Sequence, residues 1–203
     1  MTYIITSVTD YDKKRKKISL DDGRLIFLLY KGEWLRLGLR EGGELSEAGL
    51  SDIYEHILKP RIKKRALYYL KSSDKTEREI RRKLRESLYP EELIDYALDF
   101  LKSYDFVDDS RYAENFINAK RGRVSKREML QKLRQKGISA EALESLKESL
   151  TDEDEHAAAK KTFEKYVRGR DLSEPKERQR VWRYLASKGY GPDTISELLN
   201  DNM

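Results

Sequence analysis

Apolar positions change their period along this chain. Residues Tyr3 to Thr9 form a β-branched run, and KKISLDDGRLIFLLY sets Asp22-Gly23 between two apolar stretches. Ile18 and Leu20 alternate on one arm, and Leu25, Phe27 and Leu29 on the other, which predicts a β-hairpin. A hairpin alone is unstable in water, so a third strand, a helix or the next domain must cover it. GEWLRLGLREGGELS is broken by Gly32, Gly38, Gly42 and Gly43 and reads as a short turn of helix followed by a loop. From Ser46 to Leu58, Leu50, Ile53, Tyr54 and Ile57 fall at helical spacing.

Beyond Pro60 every long segment has a helical period. Three stretches align without gaps: TEREIRRKLRESLYPEELIDYALDFL from Thr76, SKREMLQKLRQKGISAEALESLKESL from Ser125 and ERQRVWRYLASKGYGPDTISELLNDN from Glu177. Ile80 matches Met129 and Val181, and Ile94 matches Leu143 and Ile195. Leu84, Leu133 and Leu185 lie 49 and 52 residues apart. Each stretch is preceded by a further helical run, at Arg61–Lys71, Ser110–Lys120 and Glu153–Val167. The prediction is a mainly α protein of three tandem three-helix repeats. Its divisions are a β extension (1–45), a connecting helix (46–58) and repeats at 59–104, 105–150 and 151–203.

Local signals support these repeats. Thr76 with Glu79 and Ser125 with Glu128 read as capping boxes. In the third repeat, Ser173 with Pro175 suggests an earlier helix start. Gly137 and Gly189 stand where the second helices end, a place for left-handed backbone. Leu88 holds that place in the first repeat and suggests a different turn there.

The second helices bury narrow stripes: Ile80 and Leu84; Met129, Leu130 and Leu133; Val181, Trp182 and Leu185. Their other faces read as exposed and basic. The first carries Arg78, Arg81, Arg82, Lys83 and Arg85. The second carries Lys126, Arg127, Lys132, Arg134 and Lys136, with Arg121 and Arg123 in the approach. The third carries Arg178, Arg180, Arg183 and Lys188. Lys83 aligns with Lys132, Arg85 with Arg134, and Arg78 with Arg127. A repeated basic face suits a repeated polyanion, because each lysine or arginine that neutralises a phosphate releases counterions whatever the base sequence.

Charge counts agree. Residues 59–104 hold 13 Lys and Arg against 8 Asp and Glu, while the whole chain is only +5. Absence of cysteine excludes disulfides and thiolate chemistry. The two histidines, His56 and His156, have no motif around them. No phosphate loop or metalloprotease motif occurs. The acidic run TDEDEH at 151–156 lacks the spacing of a calcium loop and sits where a helix begins. KKRKK at 13–17 reads as an edge strand guarded by lysines rather than a binding motif. No apolar run reaches the roughly 20 residues of a membrane span, and MTYIITSVTDY does not read as a secretion signal. A cytoplasmic, non-enzymatic protein without cofactor or metal is expected.

DFVDDSRYAENF at 105–116 is the stretch most like an active site, with Asp108, Asp109, Arg111 and Tyr112 close together. It reads better as a helix start: Asp108 as N-cap, Asp109 in the first turn, and Val107 with Tyr112 at hydrophobic-staple spacing. Arg111 then either pairs with a nearby carboxylate, the favoured reading, or reaches a partner.

These residues also carry a family resemblance. LKSYDFVDDSRYAENFINAKR at 101–121 resembles the central signature of the RecX family of recombinase regulators. TEREIRRKLRE, REMLQKLRQKGIS and RQRVWRYLASKGYGPDTI are similar to that family's three repeat helices. LDDGRLIFLL and GLREGGELSEAGL resemble the β extension of some members. The resemblance covers about residues 60–200. It implies an elongated, curved repeat array that lies in the groove of the RecA filament on single-stranded DNA. There it would block filament extension, ATP turnover and strand exchange by occupancy, acting as a monomer. The runner-up is a helical-repeat protein that binds nucleic acid non-specifically without RecA.

Overall fold

The computed structural model describes residues 1–23 and 25–201; Arg24 of the hairpin and Asn202 and Met203 of the third repeat lie outside them. The chain forms two compact units, Met1–Asp108 and Asp109–Met203.

The first unit opens with a four-stranded antiparallel sheet in the order β3-β2-β1-β4. Its strands are β1 (Thr2–Asp10), β2 (Arg15–Leu20), β3 (Leu25–Tyr30) and β4 (Glu44–Ser46). Ile18 pairs with Val8 on one side and Phe27 on the other. KKRKK therefore leads into an interior strand, which corrects the edge-strand expectation. Two of its five charges are paired locally: Arg15 with Asp12 at 2.6 Å, and Lys16 with Asp10 at 3.2 Å. The glycine-broken stretch yields helix α1 (Lys31–Leu37) and then β4, whose three residues are too few to carry a period.

Helix α2 (Glu47–Ile53) is capped by Ser46, whose hydroxyl accepts the Gly49 N–H at 3.1 Å. It passes through a π-helical turn (Tyr54–Leu58) straight into α3 (Lys59–Leu70). The connecting helix and the first helix of repeat one are thus continuous. Pro60 stands just past the π turn, and its missing N–H and crowding ring account for the wider turn before it. Then come α4 (Glu77–Glu86) and α5 (Glu91–Ser103). The sheet and this repeat share one core, in which Ile5, Ile18, Phe27, Leu58, Ile62, Ile80, Leu84 and Leu98 are all essentially inaccessible. The hairpin is covered by strands and helices together.

The second unit holds α6 (Asp109–Lys120), α7 (Lys126–Lys136), α8 (Ala140–Glu148), α9 (Asp152–Val167), α10 (Pro175–Ser187) and α11 (Pro192–Asn200). Each repeat keeps its own core, centred on Ile117, Met129 and Leu133 in one and on Phe163, Val181 and Leu185 in the other.

Several boundaries differ from expectation. Thr76 makes a full capping box with Glu79. Ser125 accepts the Glu128 N–H at 3.2 Å, but Glu128 pairs with Lys132 at 2.6 Å, so only half the box forms. Helix α10 starts at Pro175 behind Glu174, while Ser173 bonds back to Asp171. Leu88 does not make a different turn: its φ of +57° repeats the left-handed backbone of Gly137 (+96°) and Gly189 (+91°). The closing bonds also match, Tyr89 N–H to Leu84 O at 3.3 Å and Ile138 N–H to Leu133 O at 3.1 Å. The fold imposes the turn, and a leucine bears the strain of left-handed backbone.

Candidate interaction surface

The second helices place the basic side chains as the repeat alignment requires, but most are already engaged. On α4, Arg85 makes a two-pronged contact with Glu91 at 2.5 and 2.8 Å, which holds the carboxyl below its ordinary pKa and the guanidinium above its own. Arg82 pairs with Glu86 at 2.7 Å. Arg81 is half-buried and bonds Asp95 at 2.7 Å. Lys83 is also half-buried, its ammonium 5.2 Å from the Tyr69 ring centre. Two of the five residues read as exposed on α4 are therefore partly covered. Arg78 stays exposed, with no hydrogen bond or ion pair among the described residues.

On the second repeat, Arg121 bonds Asp154 at 2.8 Å and Lys126 bonds Asp152 at 2.7 Å. Glu155 accepts the Lys126 N–H at 2.7 Å. The acidic run 151–156 thus starts α9 behind its N-cap Thr151 and binds the second repeat to the third. Arg121 is accordingly an internal clamp. Lys132 is held by Glu128, and Lys136 lies half-buried 5.4 Å from the Tyr112 ring centre. Arg123, Arg127 and Arg134 remain exposed and unpaired among the described residues. On α10, Arg183 reaches only Gln179 among the described residues, at 3.2 Å.

The Asp-Asp-Arg stretch occupies a helix start. Helix α6 begins at Asp109, so Asp108 stands at the N-cap position and Asp109 in the first turn. Val107 is buried in the core of the first unit, and Tyr112 lies against that of the second repeat.

Sequence reasoning missed two features. Trp182 was assigned to the buried stripe, yet it is 39% exposed on α10 beside Arg183. Basic residues also gather with tyrosines in clefts that include side chains from outside the second helices. One, of about 270 Å³, lies between the sheet and α3. Another, of about 340 Å³, brings Arg123 together with Lys165 and Tyr184. Only the chain's fold brings these residues near each other.

Comparison with known proteins bears on this arrangement. Residues 63–101, 108–145 and 152–199 match the first, second and third three-helix domains of RecX. The regulatory protein RecX of Clostridium acetobutylicum is 32% identical over 170 residues, covering 81% of this chain and 79% of that protein. The chain belongs to the RecX family of regulatory proteins. The RecX protein of Clostridium beijerinckii is 27% identical over 203 residues, covering 98% of this chain and 95% of its own. A solved RecX regulatory protein is 26% identical with a TM-score of 0.62, covering 98% of this chain and 99% of that one. That last match extends over the N-terminal sheet, so the sheet is part of a fold already seen in a RecX structure.

Proposed function

We propose that this chain is a non-enzymatic regulator that binds the RecA filament in its groove and inhibits ATP hydrolysis, filament extension and strand exchange. The observation that carries the reading is the register of basic residues on successive second helices, Arg78 with Arg127 and Arg85 with Arg134, in a chain of a regulatory family. A groove that displays acidic protein and DNA phosphate offers a repeating negative surface, and cations spaced by a fold repeat match it. Occupancy suffices, so no side chain is asked to do chemistry. Those paired to a surface acid, such as Arg85 with Glu91, exchange one carboxylate for another on docking. Exposed ion pairs contribute only about 0–1 kcal/mol, so that exchange is cheap. Monomeric action in the cytoplasm goes with this reading; among the described residues no helix is long and apolar enough to cross a membrane.

The second reading is binding to nucleic acid alone, favoured by the tyrosine-lined basic clefts. Surface-immobilised single-stranded DNA, bare or coated with RecA and a non-hydrolysable ATP analogue, separates the two. Tighter binding to the coated strand is expected. Equal or weaker binding to the coated strand contradicts filament recognition.

A further inference from the structure

The cleft between the sheet and α3 is bounded by Arg15, Tyr30, Arg61, Lys64, Arg65 and Tyr68, and among the described residues no acidic one lines it. Its cations are not equivalent. Arg15 is held by Asp12 at 2.6 Å. Arg61 is held by Glu33 and donates to the Leu28 carbonyl at 3.0 Å. Lys64 is exposed and without a hydrogen bond or ion pair among the described residues. Among the described residues Arg65 has only the Tyr69 ring, 5.8 Å from its guanidinium carbon. Two positive charges thus converge on one concave surface without a counter-charge, whereas most cations of α4 have one.

Aromatic placement narrows the partner. Tyr68 is 60% exposed and Tyr30 is 46% exposed. Rings that open to solvent bring the core little, and burying them on a partner would be favourable. Tyr68 lies three and four residues after Arg65 and Lys64, so all three share one face of α3. Phosphate-seeking cations beside open rings are the pairing that single strands require. Such sites hold the backbone with charge and the unpaired bases by stacking.

We infer that this cleft seats a segment of single-stranded nucleic acid, with Lys64 and Arg65 on its phosphates and Tyr68 and Tyr30 stacked on its bases. This deepens the strand-contact part of the function proposed above and rests on it. It places that contact where the sheet meets the first repeat, away from the aligned second-helix faces. Arg61, locked by Glu33 and the Leu28 carbonyl, fixes the wall against which the strand lies.

The test uses the full chain without RecA, so its failure leaves inhibition of RecA to be judged separately. A fluorescein-labelled oligothymidylate longer than the roughly 4–16 nucleotides that single-strand sites span is titrated by anisotropy. Lys64→Glu combined with Arg65→Gln is expected to lower affinity about tenfold. The slope of log affinity against log salt should fall by about 1.4, or about 0.7 for each phosphate contact on a single strand. Tyr68→Ala is expected to weaken binding about fivefold or more, the scale of one stacked base, and Tyr68→Phe to restore it. Lys64→Glu alone, at an exposed position, guards against a folding defect in the double variant, and circular dichroism checks each protein. Three results overturn the inference. One is no binding of oligothymidylate by the unaltered chain. Another is unchanged affinity in both Tyr68→Ala and Tyr30→Ala. The last is loss of poly-L-glutamate binding with oligothymidylate binding intact, which would assign the cleft to an acidic protein.

Discussion

The hydroxyl of Ser125 donates to the backbone carbonyl of Lys188 at 2.5 Å, across 63 residues of chain. The same oxygen accepts the Glu128 N–H and caps α7. One buried side chain therefore ties the start of the second repeat's middle helix to the end of the third repeat's. The next residue, Gly189, lies so close that a Cβ there would meet Ser125 Oγ at 2.9 Å and the Arg127 side chain at 3.1 Å. Gly189→Ala is expected to destabilise the second unit by about 1–2 kcal/mol from left-handed backbone alone, with the steric contact adding to it. Urea unfolding followed at Trp182, in a Trp34→Phe background, reads that unit. An unchanged midpoint would contradict both the backbone strain and the close contact.

Leu88 presents the opposite case, a side chain held where glycine belongs. Leu88→Ala and Leu88→Gly lose similar packing, but only glycine relieves the left-handed strain. The glycine variant is expected to be more stable than the alanine one by about 1 kcal/mol, the reverse of their order inside a helix. Unfolding followed at Trp34, with Trp182 replaced by Phe, measures the difference in the first unit.

Two carboxylates should titrate with opposite effect. Burial pushes Glu77 up, but its ion pairs with Lys102 at 2.5 Å and Arg81 at 3.4 Å outweigh this and leave it below its ordinary 4.5. Its stabilisation is present above pH 4.5 and is lost as pH falls through the lower folded value. Glu155 is pushed up by burial, only partly offset by the Lys126 N–H. Its contribution is full below 4.5 and is lost as pH rises through the raised folded value. Glu77→Gln should therefore lower the melting temperature at neutral pH and converge on the unaltered chain in acid. Glu155→Gln keeps the acceptor and should match or exceed the unaltered chain at neutral pH, losing that advantage in acid.

Charge reversal at Arg85 and Arg134 together is expected to weaken inhibition of RecA about tenfold, on the scale of two charged contacts of roughly 0.7 kcal/mol each. Arg85 is more than half exposed against Glu91, and Arg134 is exposed and unpaired among the described residues. Far-ultraviolet circular dichroism should not change. Lost helicity would mean that the two arginines support the fold.

The repeats were legible because Ile80, Leu84 and their counterparts recur at fixed offsets, and a buried stripe leaves that trace in any single sequence. The turn at Leu88 was not, since its geometry is set by packing around it rather than by the residue that adopts it. Strand β4 was too short to show alternation. The basic faces were legible as composition but not as free charge. Arg121 finds Asp154 33 residues away, and Arg85 finds Glu91 on another helix. Lys64 and Arg65 were passed over because the tyrosine opposite them, Tyr30, arrives from the sheet. Trp182 was read as core from its neighbours Val181 and Leu185, one step from the buried stripe on a helix that turns 100° per residue.

The central claim is tested most directly by titrating this chain into RecA, single-stranded DNA and ATP and following phosphate release. The account predicts that hydrolysis falls progressively and is largely suppressed at amounts of the chain comparable to or below RecA. Hydrolysis unchanged at equimolar chain would contradict it.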